Sequence, residues 1–220
     1  MTNGQANQAV HKRRSNTLSF AEFVNSIERL LNGAGWRRPG GEVFLRGESI
    51  ETTYMLGLSG TDFSYRPVLG VCNRKVDNIA NEAAKRTLPG FTPLGPVPLF
   101  RVTPEDISPE DAGFFGPRAG KQGYEDNDIA LFAQWLDGVG VPYLRRHVTL
   151  DASLALALAR NKFDQAQTYY IPALMKLLNK DADKDSYVRQ VVEAFPPEAS
   201  AVKDFYATYL KNLEEVFSGR

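Results

Sequence analysis

The chain has 220 residues, 43% of them apolar and 11% aromatic, with 26 basic against 26 acidic side chains. That length supports one good core, or two small lobes sharing one, and the charge balance excludes a strong pull toward nucleic acid. One cysteine, Cys72, excludes an internal disulfide framework; no secretory h-region and no apolar run near the roughly 20 residues of a membrane helix appear, so a cytoplasmic protein without membrane contact is expected.

Residues 1–17 are polar and aperiodic and read as a disordered tail, with His11-Lys12-Arg13-Arg14 as a basic cluster. A helix is predicted from Leu18 to Asn32, because Phe20, Phe23, Val24, Ile27, Leu30 and Leu31 recur on one face. Ser19 and Glu22 have capping-box spacing, and Gly33 is the expected left-handed stop. Strands are predicted at Glu42–Arg46, Ile50–Leu58 and Ser64–Cys72, joined by links of hairpin length. Ile50, Thr52, Tyr54, Leu56 and Leu58 share one face, and Pro67 places its strand at a sheet edge or bulge. A helix with Val76, Ile79, Ala80, Ala83 and Ala84 inward follows. Pro89, Pro93, Pro96 and Pro98 then extend the chain toward a fourth strand at Leu99–Val102.

Thr103-Pro104-Glu105-Asp106 and Ser108-Pro109-Glu110-Asp111 are near repeats. Each reads as the start of a helical turn, with an acidic ridge for a basic partner as the alternative. Beyond the Gly-rich segment 113–123 the pattern is helical, near 127–137, 141–147, 150–160, 163–178, 184–195 and 199–217. Pro172 should kink or split its helix. Val202, Phe205, Tyr206, Tyr209, Leu213, Val216 and Phe217 make one broad apolar stripe. The predicted class is α+β: a three- to four-stranded antiparallel sheet flanked by helices, followed by an all-helical C-terminal lobe packed on it. Residues 18–217 form one composite domain, divided into an α/β meander at 18–103, a loop at 104–123 and a helical lobe at 124–217.

Motifs for common chemistries fail on particular residues. Gly116–Gln122 resembles a phosphate loop, but Phe115 replaces the required glycine and Gln122 the magnesium-binding hydroxyl. Asp181-Ala182-Asp183-Lys184-Asp185 starts like a calcium loop, but Ser186 and Val192 stand where glycine and glutamate are needed. Cys72 with His147 is a conceivable thiol–imidazole pair, although a strand cysteine more often packs as a small hydrophobe. No catalytic set, metal site or cofactor is predicted.

Three partner classes are consistent with what remains. A protein partner would use Phe114, Phe115, Arg118 and Lys121 of the Gly-rich loop with Glu105, Asp106, Glu110 and Asp111 before it. Its charge preference follows from the halves: residues 1–100 hold 12 basic and 8 acidic side chains, residues 101–220 hold 14 and 18. A small-molecule or enzyme pocket at the sheet–helix seam would use Arg46, Tyr54, Arg66 and Tyr143. Nucleic acid, which the balanced charge disfavours, would use Arg13, Arg14, Arg37 and Arg38; Arg145-Arg146 is another basic pair suited to phosphate.

Leu30-Leu31, Gly35-Trp36-Arg37-Arg38, Phe44, Arg46 and then Gly70-Val71-Cys72-Asn73 resemble a bacterial domain-of-unknown-function family over about residues 18–75. There a helix ending in a Gly-aromatic-basic step leads into an antiparallel meander. The layout is similar to that of immunity proteins that bind and neutralise contact-delivered toxins. The resemblance implies a non-enzymatic protein-binding module and transfers no functional residue.

Overall fold

The computed structural model describes residues 17–92, 95–110, 115, 122–160 and 165–219. The fold is α+β. Five strands form one antiparallel sheet in chain order: β1 (Arg37–Gly40), β2 (Val43–Gly47), β3 (Thr52–Thr61), β4 (Ser64–Asn73) and β5 (Pro98–Val102). The expected three to four strands lacked β1, whose Arg-Arg-Pro-Gly sequence has no apolar alternation. The end of the first helix dictates β1. In α1 (Phe20–Gly33), Trp36 N–H donates to Leu31 C=O and Gly35 N–H to Asn32 C=O. This pair of bonds turns the chain through a left-handed residue. Gly35, at φ +82°, fills that position rather than Gly33.

The other end of α1 follows the expected capping box, with Ser19 and Glu22 exchanging backbone and side-chain bonds. Arg38 is half-buried. It donates to Asn25 and Glu28 of α1 at 2.9 Å and lies over the Phe44 ring, clasping β1 to the helix. Trp36 is buried in the core beneath it.

β3 begins at Thr52, two residues later than predicted, and Ile50 is 89% exposed. The Ser49 hydroxyl accepts from Thr52 N–H at 3.0 Å, which commits Ile50 to the turn. β3 also runs on to Thr61, so Asp62 and Phe63 make the turn into β4. Pro67 fits β4 because β5 pairs only from Leu69 to Cys72; the missing N–H lies in a stretch that β5 does not reach. Gly70 lies beneath β5, where an added Cβ would stand 2.6 Å from both the Phe100 carbonyl oxygen and Pro98 Cβ.

One face of the sheet presents Phe44, Tyr54, Leu56, Tyr65, Leu69, Val71 and Phe100 to the helices, in a single large core. Leu45, Met55 and Cys72 form a separate small cluster, because alternate strand residues face opposite sides. α2 (Arg74–Thr87) packs on α7 and α9, with Val76, Ala80 and Ala83 inward.

The predicted break between helices 127–137 and 141–147 is bridged. α4 (Asp126–Trp135) passes through a π turn, Leu136–Gly140, directly into α5 (Val141–Arg146). Trp135, Leu136, Gly140 and Val141 all keep right-handed helical dihedrals, and the wider turn accommodates Pro142, which cannot donate. Gly140 also lets this helix approach β4, since its Cβ would meet Leu69 at 2.9 Å. α3 (Pro104–Ile107) and α6 (Leu150–Ala159) complete the cover near β5.

Pro172 does not split α7 (Gln165–Leu177). Its missing N–H deprives the Thr168 carbonyl of the usual helical donor. Tyr206 of α9 (Ser200–Phe217) supplies a hydroxyl to that carbonyl at 3.2 Å, and Tyr209 supplies one to the Tyr169 carbonyl at 2.6 Å. The proline thus creates the polar contacts that fix α9 against α7. α8 (Asp181–Ala194) connects them.

Candidate functional site

The residues expected to bind a protein partner divide into several groups. Phe114, Arg118, Lys121 and Asp111 lie outside the described residues. Phe115 is a core residue, 5% exposed, with its ring edge-on to Tyr65 and Trp135. Glu105 faces Arg66 at 3.5 Å. Asp106 accepts from Thr103 N–H at 2.7 Å and from its hydroxyl, and also binds Arg160. Its carboxyl lies below the usual range: burial alone would raise it, but the hydrogen bonds from Arg160 and Thr103 outweigh that. Glu110 is exposed. The acidic turn therefore acts first as a clasp between α3, β4 and α6.

The residues expected to line a seam pocket do not converge. Arg46 and Tyr54 are cross-strand neighbours. Arg66 alternates with the buried Tyr65 and so points to the other face of β4. Tyr143 stacks at 4.4 Å on His147. A cavity of about 570 Å³ opens instead among the helices, where the end of α3, the π turn and α5 meet, and no strand residue lines it among the described residues. Ile107, Ser108, Val139, Pro142, Arg145 and Arg146 are on its wall. Tyr54 is not on that wall. Its hydroxyl is buried, has no hydrogen-bond partner among the described residues, and lies in the field of Glu48 and Arg145. Burial is the main cause of its raised pKa, with Glu48 adding to it.

A second concavity, of about 360 Å³, lies in the helical lobe. Thr168 and Tyr169 of α7, Phe195 after α8, and Ala201, Val202 and Phe205 of α9 form it. Its floor is an aromatic cluster: the Tyr169 ring meets Phe205, Tyr206 and Tyr209 edge-on at centroid distances of 6.0, 5.7 and 5.0 Å. The hydroxyl bonds of Tyr206 and Tyr209 hold that floor rigid. The apolar stripe of α9 is buried at Tyr206, Tyr209 and Leu213, whereas Val202 is 43% exposed in the first turn. Periodicity revealed the stripe, but the loss of cover at its start is a tertiary feature.

Cys72 and His147 stand on opposite sides of the sheet. The thiol belongs to the Leu45–Met55 cluster, and His147 packs against Phe100 and Tyr143 among the helices. Burial pushes the Cys72 thiol pKa up, away from a reactive thiolate. Asp77 of α2 is buried beside the loop before β5 and accepts from Val97 N–H at 3.4 Å. Burial raises its carboxyl to about 7.

No helix among the described residues is long and apolar enough to cross a membrane. No group of three or more His, Cys, Asp or Glu side chains suited to a metal ion occurs among them. Comparison with known proteins finds no matching family model, curated protein or solved structure.

Proposed function

We propose that this chain is a non-enzymatic protein-binding module whose aromatic groove takes an apolar side chain from a basic segment of its partner. The observation that carries this reading is the uncovered first turn of α9 above a rigid aromatic floor. Pre-formed aromatic recesses of this kind accept the anchor residues that dominate binding energy. Charge supports a basic partner: residues 101–220 carry the acidic excess, and exposed Glu198 and Asp204 lie within three residues of the groove against one cation there, Lys203. The resemblance over residues 18–75 adds a narrower form of the proposal, in which the partner is a contact-delivered toxin.

The test is affinity capture from a native extract with wild type, Val202→Arg and Arg37→Ala. Val202→Arg places a cation and extra bulk in the groove while leaving the core intact, and should weaken retention of the wild-type partner about thirtyfold or more. Arg37→Ala, on the exposed edge strand, should retain it. Equal retention by Val202→Arg and wild type would refute the groove as the binding site.

A further inference from the structure

The cavity between α3, the π turn and α5 differs from the aromatic groove in position and in chemistry. Two adjacent arginines, Arg145 and Arg146, stand on its wall, and no carboxylate among the described residues lines it. Arg145 Nε is 3.7 Å from Glu48 Oε1, at the outer limit of an ion pair. Arg146 lies over the Tyr143 ring at 5.7 Å and has no carboxylate partner among the described residues. Asp106, next to the lining residue Ile107, is already committed to Thr103 and Arg160. The negative end of α5 explains why cations are tolerated in its last turn. It does not explain why they flank a concavity with Ile107, Val139 and Pro142 as an apolar wall, where the Ser108 side chain already bonds the Glu110 carboxylate.

We propose that this cavity binds a phosphate monoester. Two guanidinium groups match a dianionic tetrahedral group with several acceptor oxygens, whereas one carboxylate would leave a guanidinium unmatched. The apolar wall takes the carbon skeleton that carries the phosphate. Arg145 exchanges its long contact with Glu48 for the phosphate, while Arg146 keeps its place over Tyr143. The phosphate has two conceivable sources, a small metabolite or a phosphorylated side chain of a protein, and the recognition chemistry is the same for both.

The experiment is an amide-resonance titration at constant ionic strength with inorganic phosphate, phenyl phosphate and a phosphoserine peptide. Saturable shifts are expected at Ser108, Gly138, Val139 and Arg146, with phenyl phosphate or the peptide tighter than inorganic phosphate. Tighter binding of phenyl phosphate identifies a small-molecule source, and tighter binding of the peptide a protein source. Arg146→Ala should weaken binding about tenfold or more, Arg146→Lys less, and Arg37→Ala not at all. Arg146 is exposed, so its replacement leaves the core unchanged. The proposal is overturned if no probe gives saturable shifts at these residues, or if Arg146→Ala binds as wild type does.

Discussion

Gly70→Ala lowers stability by about 3 kcal/mol, the upper part of the range for overpacking a filled site. The cause is backbone crowding. The new methyl group would lie 2.6 Å from the Phe100 carbonyl oxygen and from Pro98 Cβ, neither of which can swing aside like the end of a flexible side chain. β5 must then lift from β4 across the irregular register between Gly70 and Cys72. Gly57→Ala is the matched control. It lies on the neighbouring strand, where the nearest atom to its Cβ would be 3.9 Å away, and the change should stay within about 1 kcal/mol of wild type. Urea unfolding of both variants decides the matter: equal midpoints for Gly70→Ala and Gly57→Ala would show that β5 does not approach β4 as described.

Stability falls as pH rises through 7, and Asp77 is the reason. Burial lifts its carboxyl from 3.8 to about 7 in the folded chain. The folded state therefore holds this proton more tightly than the unfolded state does. The resulting stabilisation is fully present below about pH 4 and lost as pH climbs through about 7. Its full span is on the order of 4 kcal/mol. Asp77→Asn keeps the shape and removes the titration, so unfolding measured between pH 5 and 8 should show a flatter profile, with the variant gaining on wild type as pH rises toward 7 and holding that gain above it. Parallel profiles for the two proteins would remove Asp77 from this role.

Local signals proved the most readable part of this fold. Ser19 and Glu22 mark the start of α1 because a capping box is completed within four residues. The antiparallel meander followed from short links between apolar runs. β1 left no such signal, since its pairing comes from the way α1 ends. Ile50 has the parity of a core residue, yet a side-chain bond from Ser49 decides the turn. The separate helices expected at 127–137 and 141–147 are one path, because a π turn carries the helix through Gly138 and Gly140 to Pro142. Pro172 was legible as a defect, while its remedy, Tyr206, lies on another helix.

The candidate sites follow the same division. Arg145-Arg146 was visible as a basic pair, but its setting beside Ile107 and Ser108 depends on packing between distant segments. The apolar stripe of α9 was visible as a pattern. Only the arrangement of α7 and Phe195 shows that Val202 and Phe205 line a groove. Phe115 shows an ambiguous case: an aromatic residue in a Gly-rich stretch suits a display loop and a core plug equally, and Phe115 is buried against Trp135.

The most direct measurement of the central claim is photo-cross-linking from position 202, with position 50 as the exposed control outside the groove. Benzoylphenylalanine is introduced at each site, the protein is irradiated in native extract, and the adducts are mapped by peptide mass spectrometry. The account predicts an adduct from position 202 to a basic segment of one protein, and none to that segment from position 50. The absence of any adduct from position 202, or the same adduct from both positions, would contradict it.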